Sequence, residues 1–88
     1  LEKVVLSHNR ILSLVADSFT PVGGSYGLDL SFNQISIIEP GFFSSFRNLR
    51  NLNLSHNNLT TANFLNAANL DNLRVLNLNS NIFIVDII

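Results

Sequence analysis

Apolar and polar positions along the 88-residue chain repeat with a period of 24 residues. The segments LEKVVLSHNRI (1–11), SYGLDLSFNQI (25–35), LRNLNLSHNNL (49–59) and LRVLNLNSNIF (73–83) share the frame L-x-x-L-x-L-x-x-N-x-L with few exceptions. Frame positions 4 and 6 carry Val4 and Leu6, Leu28 and Leu30, Leu52 and Leu54, and Leu76 and Leu78, each pair alternating with other residues. Period-two alternation over a short run predicts a half-buried strand. The expectation is four strands at 4–6, 28–30, 52–54 and 76–78, joined in chain order into one parallel sheet. Units this short cannot bury an apolar face alone, so neighbours must stack, and a fixed period in this range marks a solenoid.

Asn9, Asn33, Asn57 and Asn81 close the four frames. A buried Asn has two donor hydrogens and an acceptor oxygen to satisfy. Repeated at every coil, it can bond the open backbone groups of its own loop and of the next coil, which predicts a ladder of Asn side chains.

The frame resembles the leucine-rich repeat family in its 24-residue form, which continues L-x-x-L-x-x-x-x-F-x-x-L after the Asn half. Ile11, Leu14, Phe19 and Val22 match that continuation in the first repeat, and Ile35, Ile38, Phe43 and Phe46 in the second. In the third the matching positions hold Leu59, Ala62, Ala67 and Leu70. The stretch ISIIEPGFFSSFRNLRNLNLSHNNLT is similar to extracellular animal members such as Toll-like receptors and related cell-surface adhesion proteins. The resemblance implies an α/β-type solenoid, with one parallel β-sheet on the concave face and irregular or short helical segments on the convex face. It implies a single array with repeats at 1–24, 25–48, 49–72 and a partial repeat at 73–88, read as part of a longer solenoid. Departures are local. Ser25 replaces the first Leu of repeat 2 after the Gly-rich run PVGGSYG, which predicts an irregular strand entry. Repeat 3 has Ala67 for the expected Phe and carries Phe64 three residues earlier, so NFLNAANL is expected to form a short helix packed differently.

Composition adds constraints rather than a function. The formal net charge is -1 with 12% charged residues, which gives no electrostatic basis for binding nucleic acid or an anionic membrane. The closing run IFIVDII is too short to span a bilayer and is interrupted by Asp86. With no Cys, the redox compartment is not legible.

Candidate catalytic chemistry is weak. His8 and His56 lie two repeats apart, about 10 Å for strands spaced about 4.8 Å, too far to share one zinc. They read as unpaired surface residues beside the strand ends. The carboxylates Glu2, Asp17, Asp29, Glu39, Asp71 and Asp86 occupy different frame positions and form no acid/base pair. Ser7, Ser31 and Ser55 lack a base in any consistent register. No catalytic residue, metal site or cofactor is expected.

The surface left for function is the outward face of the sheet. Frame positions 3, 5 and 7 point away from the core, flanked by positions 2 and 8. The candidate binding residues are Tyr26, Asp29, Phe32, Arg50, Asn53, His56, Arg74 and Asn77. Phe32 has two readings: an anchor for a partner, or a ring lying flat against His8 or His56. Two glycosylation triplets occur, Asn53-Leu54-Ser55 and Asn58-Leu59-Thr60. The composition alone gives about that number by chance, so they do not argue for secretion. The expected partners are a protein ligand or further copies of the chain, with N-glycans on Asn53 or Asn58. The leading function is a recognition or adhesion module of an extracellular or cell-surface receptor-like ectodomain. The alternative is a structural protein whose repeats self-assemble.

Overall fold

The computed structural model describes residues 3–16, 18, 26–66 and 70–84. Four strands, β1 (Lys3–Val5), β3 (Gly27–Asp29), β5 (Asn51–Asn53) and β6 (Val75–Asn77), form one parallel sheet in chain order. The register holds the period without slip: Val4, Leu28, Leu52 and Leu76 lie side by side. The strands begin and end one residue earlier than the alternation suggested. The ladder nevertheless continues, because the N–H groups of Leu6, Leu30 and Leu54 donate to Asp29, Asn53 and Asn77 at 2.8 Å.

A second, two-stranded parallel sheet was not anticipated. β2 (Ser13–Leu14) pairs with β4 (Ile37–Ile38) where only irregular or helical chain was expected. Two 3-10 turns follow, at Phe42–Ser45 and Asn63–Asn66. The second starts the short helix read in NFLNAANL; Ala67 and Asn69 lie outside the described residues, as do Glu2, Asp17, Phe19, the PVGGS run and Asp86.

The core lies between the main sheet and these turns. Leu28, Leu30, Leu52 and Leu54 enter it from the sheet, Ile35 and Leu59 from the segment after each Asn, and Phe43, Phe46 and Phe64 from the far side. Phe64 takes up the aromatic role that Ala67 cannot fill, its ring centroid 5.8 Å from that of Phe43. Burying a side chain of this size is worth about 1.5–3 kcal/mol, and Phe43 packs both on Phe42 and Phe46 of its own coil and on Phe64 of the next.

Candidate functional site

The sheet leaves its outward face uncovered. Lys3, Asn51 and Val75 occupy one column across the strands, and Val5, Asp29, Asn53 and Asn77 the next. Lys3, Tyr26, Asn51, Asn53, Val75 and Asn77 help to line a hollow of about 380 Å³ on this face. Gly27 is the small residue in the first column, and a Cβ there would sit 3.1 Å from Cγ of Lys3. The Lys3 side chain therefore lies across the glycine, which explains why Gly27 is buried on an otherwise open face.

The second column is committed locally. The Oδ1 atoms of Asp29, Asn53 and Asn77 each accept the backbone N–H two residues on, from Ser31, Ser55 and Asn79, at 3.0 Å. This is the Asx turn, in which a short polar side chain replaces a backbone acceptor. Ser31 and Ser55 also donate their hydroxyls to the same oxygens at 2.6 Å. Both serines are buried, at 4% and 5% exposure, although simple alternation placed them outward. The alternation ends with the strand, and the turn folds position 7 back onto the Asx oxygen. The carboxyl of Asp29 lies below its ordinary range: partial burial pushes it upward, but the Ser31 hydroxyl and N–H, with the nearby charges of Lys3 and His8, outweigh that effect.

One flank is aromatic. Phe32 is sandwiched between His8 and His56, with centroids at 4.5 and 4.1 Å and planes 9° from parallel in both pairs. The two histidines are thus not the unpaired surface residues the sequence suggested, and Phe32 remains 45% exposed. His8, Phe32, His56 and Ser80 all have positive φ, between 55 and 58°. The left-handed region costs an L-residue roughly 1–2 kcal/mol, and here it turns the chain off the sheet toward each Asn. The opposite flank carries Tyr26, Arg50 and Arg74, linked by N–H donation from Arg50 to Tyr26 O and from Arg74 to Arg50 O, each 2.8 Å. The Arg50 guanidinium lies 5.7 Å from the Tyr26 ring centroid.

The Asn column stands behind this face. Asn57 donates through Nδ2 to the carbonyls of Leu30, Leu54 and Ser55 at 3.0, 3.1 and 3.2 Å and accepts the Ile35 N–H at 3.0 Å. Asn33 does the same with Leu6, Leu30, Ser31 and the N–H of Ile11. Asn81 repeats it with Leu54, Leu78, Asn79 and the N–H of Leu59. Each reaches the preceding coil, whereas the sequence reading had it reach the next. Among the described residues Asn9 bonds only Leu6 O and Ser7 O, and it is exposed.

Of the glycosylation candidates, Asn58 is exposed and, among the described residues, donates only its backbone N–H, to Ile35 O, whereas Asn53 is half-buried with its oxygen taken. Among the described residues, no group of three or more His, Cys, Asp or Glu could hold a metal ion, and no helix is long and apolar enough to cross a membrane. The Asx turns were legible in DLS (29–31), NLS (53–55) and NLN (77–79), a recurrence that the apolar frame obscured.

Comparison with known proteins agrees with this architecture. The family model described as leucine rich repeat matches residues 1–59. The chain is 36% identical over 76 residues to the Mus musculus protein named transforming growth factor beta activator LRRC32, an alignment covering 86% of this chain and 12% of that protein. The chain thus spans about 12% of the length of this relative. No solved structure matches significantly.

Proposed function

Because the chain belongs to the leucine-rich repeat family, we propose that it is a non-enzymatic protein-recognition module that binds partners through its concave sheet. Curved solenoids use such faces as extended binding surfaces. The observation that carries this reading is the uncovered, hollowed outward face, flanked on both sides by exposed aromatic or cationic side chains. Every other described face of the main sheet is spent on the core.

The module belongs to an extracellular or cell-surface receptor or adhesion ectodomain. The similar mouse protein is named for activating a growth factor, and growth factors act between cells, which supports that placement. The repeats act together as one repeat domain, and Asn58 is the glycan acceptor.

The test presents the protein to a displayed library of secreted and cell-surface domains. Binders should be lost on Asn51→Arg and Val75→Arg, which fill the hollow, and retained on Ser44→Arg, which lies on the far side. Binders that track Ser44→Arg instead, or growth of the protein into large particles with rising concentration, would displace this reading in favour of another surface or of self-assembly.

A further inference from the structure

Two amides of the outward face, Asn53 and Asn77, present donors rather than acceptors. Asn53 and Asn77 spend their Oδ1 atoms on the Asx turns, and their Nδ2 groups have no acceptor within the described residues. A side-chain amide so held has its carbonyl turned toward the backbone and its amino group available to a partner. Along the same strands, three residues before these amides and so about 10 Å away, stand Arg50 and Arg74. Both are exposed, they occupy adjacent coils, and neither has a carboxylate partner among the described residues. Tyr26 stacks near one guanidinium without neutralising it. Lys3 adds a third cation at the hollow. The one described carboxylate on this face, Asp29, is occupied by Ser31.

This local balance runs against that of the chain, whose formal charge is -1. Three of its five cationic residues lie on or beside a single face. Adjacent unpaired guanidiniums repel one another, and they suit a planar carboxylate that each can hold with two parallel N–H groups.

Building on the recognition reading above, we propose that this face takes an acidic polypeptide segment. Its carboxylates sit on Arg50 and Arg74, and its carbonyl oxygens accept from Nδ2 of Asn53 and Asn77. The exposed edge of the His8–Phe32–His56 stack borders the same site and receives an apolar side chain of that segment. Charge steering then sets the rate of encounter, and the fixed amides set the register.

The experiment pans a phage library of random 12-residue peptides, about that length being enough to cross the sheet, against the protein at low salt. Selected peptides are then titrated against wild type and variants. Peptides enriched in Asp and Glu are expected. Their affinity should fall about tenfold or more on the double change Arg50→Glu with Arg74→Glu, and on raising salt. It should fall less on the neutral pair Arg50→Gln with Arg74→Gln. It should be unchanged on Ser44→Glu, which alters net charge on the far side of the molecule. Peptides without acidic enrichment that are still lost on Val75→Arg would overturn the acidic-partner proposal and leave sheet recognition standing. Peptides indifferent to every sheet substitution would overturn both. Heparin binding as tightly, with the same dependence on Arg50 and Arg74, would show a general anion site and overturn the polypeptide assignment.

Discussion

Removing the amide of Asn57 separates the contribution of the Asn column from that of the apolar core. The side chain is 4% exposed and makes four hydrogen bonds to the backbone of two coils, its own and the preceding one. In Asn57→Ala the three carbonyls each keep one donor: Leu30 O retains Nδ2 of Asn33, Leu54 O retains Nδ2 of Asn81, and Ser55 O retains the Phe32 N–H. The group left without a partner is the N–H of Ile35, a residue with 0% exposure. An unsatisfied buried donor costs about 1–3 kcal/mol. A water entering the void would meet four polar groups, enough to hold it, and would bring the loss to the lower end. Asn58→Ala removes an exposed side chain with no hydrogen bond to lose among the described residues and should stay within about 0.5 kcal/mol of wild type. Asn9→Ala should resemble Asn58→Ala, since it orphans no N–H group. Equilibrium urea unfolding followed by circular dichroism compares the variants directly. Equal midpoints for Asn57→Ala and Asn58→Ala, at equal slope, would refute the reasoning.

Phe32→Ala should destabilise by about 1–2 kcal/mol through loss of two ring stacks, and Phe32→Gly should be the milder change because φ is 55° there; a urea series in which alanine is the better tolerated would count against the strained-turn account. Asp29→Asn keeps the acceptor that the next two coils already use, so stability near neutral pH should hardly change. The wild-type carboxyl is lowered in the folded state, so its contribution is present above the unfolded value of about 3.9 and is lost as pH falls through the folded value; the variant should therefore lose less stability below about pH 4, and parallel acid limbs in urea midpoints would contradict this. Expression through a secretory pathway should place glycan on Asn58 and leave Asn53 bare, as read by glycopeptide mass spectrometry; occupancy at Asn53 with native folding would reverse the assignment.

The repeat frame made the sheet legible because one physical signal, the return of Leu and Asn every 24 residues, sets both the strand register and the core-facing side chains. What escaped it depends on interactions off that period or beyond single-residue polarity. β2 and β4 contain only Ser13–Leu14 and Ile37–Ile38, too short for any alternation to show. Ser31 and Ser55 read as surface residues by polarity, yet a hydroxyl paired to an Asx oxygen can be buried at little cost. The direction of the Asn bonds, toward the preceding coil, depends on backbone tilt that residue type does not encode. The candidate face was legible as a list of positions. Its bias toward donors was not, because that follows from which atom of each Asn the backbone has already claimed.

The backward reach of the Asn side chains has a consequence for how the chain is made. A ribosome releases the N-terminal coil first. When Asn33 emerges, its partners Leu6 O and Ile11 N–H already exist, and the same holds for Asn57 with Leu30 and Ile35 and for Asn81 with Leu54 and Leu59. Each new coil therefore brings the amide oxygen for which an N–H of the preceding coil, that of Ile11, Ile35 or Leu59, has waited since leaving the exit tunnel. The polarity of a side-chain amide gives the growing array a direction, and that direction coincides with translation.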